Sequence, residues 1–400
     1  MEREDLTIVD CVSDDPFAID VAHHFRQRAE VADLIALKNF ANSEFCPRFI
    51  SDEGDTRHIG HHLDGRTVVI VTTCCGPHTR NALAMRTCIV ARAAKDNGAR
   101  HVAVIQPDLF YSAQDRGPRP DQGDVDFERS DADYKKFDGQ PFSALLYAQL
   151  MRASGVDRVV TLHNHSVSVE RVFEREFEGR FHNLSPGRLY AHYLMNHDVA
   201  RPNSGCEGVL LCAPDGGAVE FVQGVYRVLD EMSDRFLLRP EIDLLLMDKV
   251  RSGERNVSIQ PSVGSPTPLE GVAGKDVIVF DDMVRTGHTI VECCRLLKRA
   301  GAARVVFVVT HFYSSEEVKE NLNDRAIDEI VTTNSLPTIL NRDMQGRLRR
   351  KMLVLKLEKW FAAFLEKEFC GREPRRDEPL YAIDISSKNP RWRPHRHLQD

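Results

Sequence analysis

The feature that most constrains how this chain can fold is a pattern that occurs twice. Gly65-Arg66 leads into TVVIVTTCCG, then a helical stretch over 80–95, then GARHVAVIQPDLFY. Gly274-Lys275 leads into DVIVFDDMVRTG, then a helical stretch over 288–300, then GAARVVFVVTHFY. Each copy reads as an apolar β-branched strand, a loop rich in polar side chains, an amphipathic helix, a Gly-Ala turn and a second apolar strand. Strands that are apolar throughout and alternate with helices indicate a parallel sheet covered on both faces. Two such units, roughly 200 residues apart, predict an α/β protein built from a duplicated, mainly parallel domain.

Further strands fit the same scheme at 7–11, 158–162, 208–212, 244–247 and 330–333. With 400 residues to distribute, two domains are expected, with a boundary between about 165 and 190. The division adopted is 1–170, 171–370 and a polar tail 371–400 that adds little core. A last amphipathic helix over 358–369 is expected to pack on the second domain. The segment 117–138 is polar, acidic and without periodicity, and reads as an insertion forming a disordered surface loop rather than a lid.

Apolar residues make up 42% of the chain and charged residues 28%, as in ordinary soluble globular proteins. A net charge of −7 argues against nucleic acid held by bulk charge. No stretch approaches the ~20 apolar residues that span a bilayer, and Met1-Glu2-Arg3-Glu4-Asp5 lacks the apolar core of a signal peptide. The expectation is a cytoplasmic protein with no membrane partner. Ten cysteines occur without a Cys-x-x-Cys pair, which reads as reduced, mostly buried thiols. His58, His61 and His62 lack a matching acid or cysteine set and are assigned to a surface loop.

The chemistry concentrates at strand ends, where ligands bind in open parallel sheets. After the strand 277–280 come Asp281-Asp282, then Arg285-Thr286-Gly287-His288-Thr289 opening a helix. Free N–H groups and the helix dipole make such a turn a phosphate cradle, and the hydroxyls and Arg285 can add direct bonds. The two acids can accept from sugar hydroxyls. A phosphate at one end and vicinal hydroxyls at the other describe a ribose 5-phosphate. The competing reading is a helix N-terminus with acidic capping residues.

VIVFDDMVRTGHTI (277–290) resembles the ribose-phosphate loop of the type I phosphoribosyltransferase fold, and the chain over about 7–360 resembles the ribose-phosphate diphosphokinase (PRPP synthase) family. LLLMDKVRSGERNV (244–257) is similar to the family's strand and catalytic flexible loop, which implies that Lys249 and Arg251 are the catalytic cations, with Val250 replacing an Arg. CAPDGGAVEFV (212–222) resembles a Pro-Asp-x-Gly-Gly turn and implies Asp215 near ribose phosphate or magnesium. TLHNHSVSVERVF (161–173) implies His165 as the metal-proximal histidine, with His163 replacing an Asp. FYSAQDRG (110–117) retains Gln114 and Asp115 for nucleotide, while Ala113 replaces an Arg. RFISDEGD (48–55) resembles the adenine-binding flag, which implies Phe49 stacking on adenine and Asp52 or Glu53 accepting from its amino group, in a neighbouring subunit's site.

The resemblance implies two phosphoribosyltransferase-like domains, ATP and ribose 5-phosphate as substrates, Mg2+ as cofactor, and a homo-oligomer assembled through dimers into hexamers. Arg285, Thr286, Gly287, His288 and Thr289 would hold the sugar phosphate together with Asp215, Asp281 and Asp282. Arg285 stands where the family carries Asp, His288 where it carries a small residue, and Asn334 where it carries Asp. Gly139 and Leu145 replace basic residues at a region tied to allosteric phosphate. Three alternatives stay open: a non-catalytic regulatory subunit, a phosphoribosyltransferase that consumes PRPP, and a diphosphokinase acting on another sugar phosphate.

Overall fold

The computed structural model describes residues 5–125, 127–197, 199, 208–236, 242–251, 257–341, 343–375 and 378–384. The polar tail beyond 384 and the middle of the loop after Arg251 lie outside the described residues. The chain forms two compact units. The first contains β1 (Leu6–Asp10), α1 (Pro16–Phe25), α2 (Val31–Leu34), β2 (Ile35–Asn39), β3 (Phe45–Phe49), β4 (Thr67–Val71), α3 (Arg80–Asp96), β5 (His101–Ile105), α4 (Asp131–Phe137), α5 (Ser143–Ala153), β6 (Arg158–Leu162), α6 (Val167–Glu176) and β7 (Phe181–Leu184). The second contains α7 (Gly187–Asn196), β8 (Val209–Ala213), α8 (Val219–Phe236), β9 (Ile242–Arg251), β10 (Val257–Pro261), β11 (Asp276–Val284), α9 (His288–Arg299), β12 (Arg304–Phe312), α10 (Glu316–Leu322), β13 (Glu329–Thr333), β14 (Met352–Lys356) and β15 (Ala382–Ile383).

In the first unit a parallel sheet runs in the order β1-β4-β5-β6-β7, with β2 and β3 as a separate antiparallel hairpin. In the second, the order is β10-β9-β8-β11-β12-β13-β14-β15. Its centre is parallel, and antiparallel strands β10 and β15 close the two edges. The two sequence repeats become β4–α3–β5 and β11–α9–β12, each a parallel pair joined by its helix. Every residue of β4 is buried, as a strand covered on both faces must be. Helix α9 buries Ile290, Val291, Cys293, Cys294 and Leu297 on one stripe and turns Arg295 and Glu292 outward, where they pair.

Two expectations are corrected. Helix α11 (Glu358–Cys370) packs on the first unit, not the second. Phe361 is fully buried edge-on to Phe17 at 5.6 Å, the ring of His182 meets Phe364, and Glu368 pairs with Arg158. The segment 117–138, Asp126 apart, is an ordered element rather than a disordered loop. Arg129, its side chain 4% exposed, organises it. The guanidinium donates to Asp133 at 2.7 Å, to the Gly117 carbonyl at 2.9 Å and to the Gln122 carbonyl at 3.1 Å, with the Tyr134 ring 4.2 Å away. A buried cation with so many fixed acceptors holds a loop that has no apolar periodicity of its own.

At the carboxyl end of β1 two acids are buried together, Asp10 and Asp15. Asp15 accepts from the Phe17 amide at 2.9 Å and from the Thr73 hydroxyl at 2.8 Å. Burial, and then the neighbouring Asp15, push the Asp10 carboxyl up from the ordinary 3.8 to about 7. An acid whose folded value stands above its unfolded one holds its proton more tightly when folded. The fold therefore loses stability as pH rises from about 4 to about 7, and the loss is complete above that. We expect Asp10→Asn to match the parent near pH 4 and to exceed it at pH 8 by up to ~4 kcal/mol. Denaturant unfolding across that range checks the sign, and a parent that gains on Asp10→Asn with rising pH contradicts it.

Candidate active site

The sequence places its acids at a strand end, and the structure shows why they stand free of the sheet. Strand β8 accompanies β11 only as far as the Cys212–Val279 register, whereas β12 follows it to Val284 and Phe312. Strand β11 therefore continues through Asp281 and Asp282, a correction to the expectation that it stops before them. Past Val279, β11 has lost β8 as its neighbour, and the acids are half-buried. The turn after β8 carries Asp215, whose Oδ1 accepts from the Gly217 amide at 3.0 Å. Asp281 Oδ1 accepts from the Asp282 amide at 2.9 Å. Burial, then Asp282 and then Asp215 drive the Asp281 carboxyl well above the ordinary carboxylate range. Carboxylates crowded this way favour a cation or a set of hydroxyl donors between them.

Beyond the acids, Arg285 and Thr286 are exposed and Gly287 caps α9 in the left-handed region, φ +83°. No side chain caps this helix, so the first-turn amides are not taken by the capping residue. His288 is exposed and its Nε2 lies 3.1 Å from Glu317 Oε1. Lys249, exposed on β9, donates from Nζ to the Thr289 hydroxyl at 3.2 Å. Thus Asp215, Lys249, Asp281, Asp282 and the loop 285–289 are gathered at one end of the second unit's sheet. The Arg251 backbone pairs with Val257 across the β9–β10 hairpin, while its side chain lies outside the described residues.

The first unit holds the other candidates. Asp115 accepts from Ser166 Oγ at 2.8 Å through its carboxylate and from Ser168 Oγ at 2.6 Å through its carbonyl. It thereby ties the loop after β5, with exposed Ala113 and Gln114, to the loop after β6, with exposed His165. Arg116 Nε donates to the other Asp115 oxygen at 3.3 Å, so this acid is committed to positioning. His163 adopts φ +45°, a conformation non-glycine residues rarely take and one that clusters at functional sites.

Phe49 is corrected. It is 3% exposed and lies in the core of the first unit beside His62, so its ring has no face open to a base. Asp52 and Glu53 are exposed, and Asp52 Oδ1 closes its own turn by accepting from the Gly54 amide. The β2–β3 hairpin does present an aromatic residue: Phe40, 51% exposed, at a turn closed by the Phe40 amide on the Glu44 carbonyl at 2.8 Å. The signal for it was the Asn42-Ser43 turn between two strand-forming runs. His58 and His61 pair with Asp55 and Asp64. Among the described residues no group of three or more His, Cys, Asp or Glu side chains is arranged to hold a metal ion by itself, and no helix is long and apolar enough to cross a membrane.

Comparison with known proteins agrees with this layout. Residues 7–123 match the model of the N-terminal domain of ribose phosphate pyrophosphokinase, and residues 202–339 match the phosphoribosyl transferase domain. A ribose-phosphate pyrophosphokinase of Marinomonas sp. is 26% identical over 287 residues, 72% of this chain and 76% of that one. Ribose-phosphate pyrophosphokinase 2 of Saccharomyces cerevisiae is 27% identical over 286 residues, again 72% and 76%. The crystal structure of phosphoribosylpyrophosphate synthetase from Mycobacterium smegmatis superposes with a TM-score of 0.65 at 22% identity, covering 92% of this chain and 99% of that one, so the two share a fold of paired phosphoribosyltransferase-like domains. With both of its units matched in order, this chain belongs to the ribose-phosphate pyrophosphokinase family.

Proposed function

We propose that the protein is a ribose-phosphate diphosphokinase, which transfers the diphosphoryl group of MgATP to the anomeric hydroxyl of ribose 5-phosphate and releases PRPP and AMP. The observation that carries this reading is the Lys249 ammonium bonded to Thr289, on the same loop that follows the crowded Asp281 and Asp282. The anomeric oxygen attacks the β-phosphorus, and the bond from that phosphorus to the oxygen bridging the α-phosphate breaks as AMP leaves. Charge spreads over the transferring oxygens, and Lys249, with Arg251 as the second cation the resemblance names, would supply positive charge for it. The amides and hydroxyls of Thr286, Gly287, His288 and Thr289, with Arg285, take the 5-phosphate. Asp281, Asp282 and Asp215 accept from the ribose hydroxyls.

Magnesium suits this donor set, because it is commonly held by one or two carboxylates together with substrate phosphates. Asp215 is the second-unit side chain that would hold it together with substrate phosphates, and when bound it would neutralise charge on the phosphate oxygens; His165 is the metal-proximal side chain that the family resemblance names in the first unit. Gln114 meets the nucleotide, with Asp115 holding the Gln114 and His165 loops together. Phe40 replaces Phe49 as the stacking aromatic, since a base needs an open ring face. In the family the corresponding flag enters a neighbour's site, so the active form we propose is a cytoplasmic homo-oligomer.

The test is AMP release from ATP, magnesium and ribose 5-phosphate. Lys249→Ala should lower kcat by roughly 10²- to 10³-fold, the scale for removing one donor to a transferring group. An intact chain that releases no AMP above background would sink the enzyme reading and favour a regulatory subunit, which the exposed Ala113 in place of a cation also suits. AMP formed only with a different sugar phosphate would change the substrate and keep the chemistry.

The two phenylalanines separate cleanly. Phe40→Ala should raise KM for ATP by about 10-fold, as expected for losing one base stack, with little change in stability. Phe49→Ala should cost about 3–5 kcal/mol of stability. Steady-state kinetics beside denaturant unfolding decides, and the reverse assignment of effects would restore Phe49 to the nucleotide site.

A further inference from the structure

Three side chains of α10 meet three consecutive residues of the proposed sugar-phosphate loop. Asn321 Nδ2 donates to the Thr286 carbonyl at 2.8 Å and lies 3.5 Å from His288 Nε2. Glu317 Oε1 meets the same ring nitrogen at 3.1 Å. Leu322 approaches Gly287 so closely that a Cβ there would stand 3.1 Å from its Cδ2. At φ +83° the glycine is needed for its backbone as well as for the space. The loop is thus shaped from behind by a helix that contributes no residue to the ligand set proposed above.

A planar trans peptide couples the groups on its two edges. The carbonyl of Thr286 and the N–H of Gly287 belong to one rigid unit and point in opposite directions. Holding the carbonyl toward α10 turns the Gly287 N–H away from α10. The neighbouring amides at the start of α9 have no side-chain cap. An anion is bound best where donors are already aligned, because no reorganisation is then needed on binding. We propose that Asn321 is a positioning residue that presets the Gly287 N–H for the phosphate group of the sugar phosphate. The inference rests on the functional reading above and names which neighbour sets its phosphate cradle. Asn321 acts through the Thr286–Gly287 peptide and not on the reacting atoms. Its removal should therefore change sugar-phosphate affinity and leave the transfer step alone.

The experiment uses the full chain and two readouts: calorimetric titration with ribose 5-phosphate, and steady-state kinetics. Asn321→Ala and Asn321→Asp should each weaken ribose 5-phosphate binding by about 10-fold, the loss of roughly one charge-assisted hydrogen bond's worth of alignment. KM for ribose 5-phosphate should rise in parallel. KM for ATP, and kcat at saturating sugar phosphate, should stay within about twofold. Asn321→Asp keeps the side chain's shape and replaces the donor with an acceptor facing the Thr286 carbonyl, so it carries the test should the alanine variant unfold. A folded variant with unaltered ribose 5-phosphate affinity overturns the inference alone, as does a fall in kcat at constant affinity. An intact chain that does not bind ribose 5-phosphate overturns the functional reading, and this inference with it.

Discussion

Carboxylates in a half-buried cleft repel one another, and the second unit is organised around one such group. Asp281 is pushed far up by burial and by Asp282 and Asp215. Its charged form is therefore disfavoured until something donates to it or neutralises it. That requirement explains the surroundings. Strand β11 outruns β8, which exposes the acids at the carboxyl end of the sheet. The turn carrying Asp215 closes on itself through the Gly217 amide and keeps its acid beside them. Lys249, on β9, reaches over to donate to the Thr289 hydroxyl just beyond the acids. A ligand with hydroxyls or a cation at one end and an anion at the other relieves both parts at once.

The two repeats show how one scaffold divides between structure and binding. In the first, α3 opens with Thr79, whose hydroxyl accepts from the Ala82 amide at 3.2 Å. In the second, Gly287 occupies the equivalent place and offers no side chain. A satisfied cap stabilises a helix by about 1 kcal/mol, and a glycine cap leaves amides available to a ligand. The loop after β4 likewise turns inward, where Thr73 donates to buried Asp15. The capped helix α3 thus has its first turn satisfied from within, whereas α9 leaves its first-turn amides uncapped in the loop proposed to take the phosphate.

How much of this was legible in the sequence depended on the range of the interaction. Strands such as Arg158–Leu162 and the repeat itself follow from local period and composition, so they could be read directly. The acid pair and the glycine loop follow from chemistry at adjacent positions. Helix α11 shows the limit. Its amphipathic face announces that a partner exists, but the partner, Phe17 on α1, lies more than 300 residues away in sequence. Segment 117–138 failed for a related reason. Its order comes from one buried guanidinium, Arg129, and carbonyl acceptors at Gly117 and Gln122, a pattern no apolar period reports. Phe40 sits at the turn of one short hairpin and Phe49 at the end of its second strand, and only the hairpin's geometry tells which ring is covered.

Arg285 and His288 are the two loop residues that the sequence resemblance singles out, and the structure separates them. Arg285 is exposed at the mouth of the loop, where a guanidinium can meet phosphate oxygens directly. His288 is turned back to Glu317, with Asn321 beside it. An acid placed behind a phosphate cradle would oppose the incoming anion if it faced it unpartnered. Paired with the imidazole, its charge is directed to a donor and away from the cradle. The bulkier residue at 288 and the acid at 317 therefore make sense together: each would be unfavourable alone, and as a pair they lend α10 a grip on the loop that a small residue at 288 could not provide.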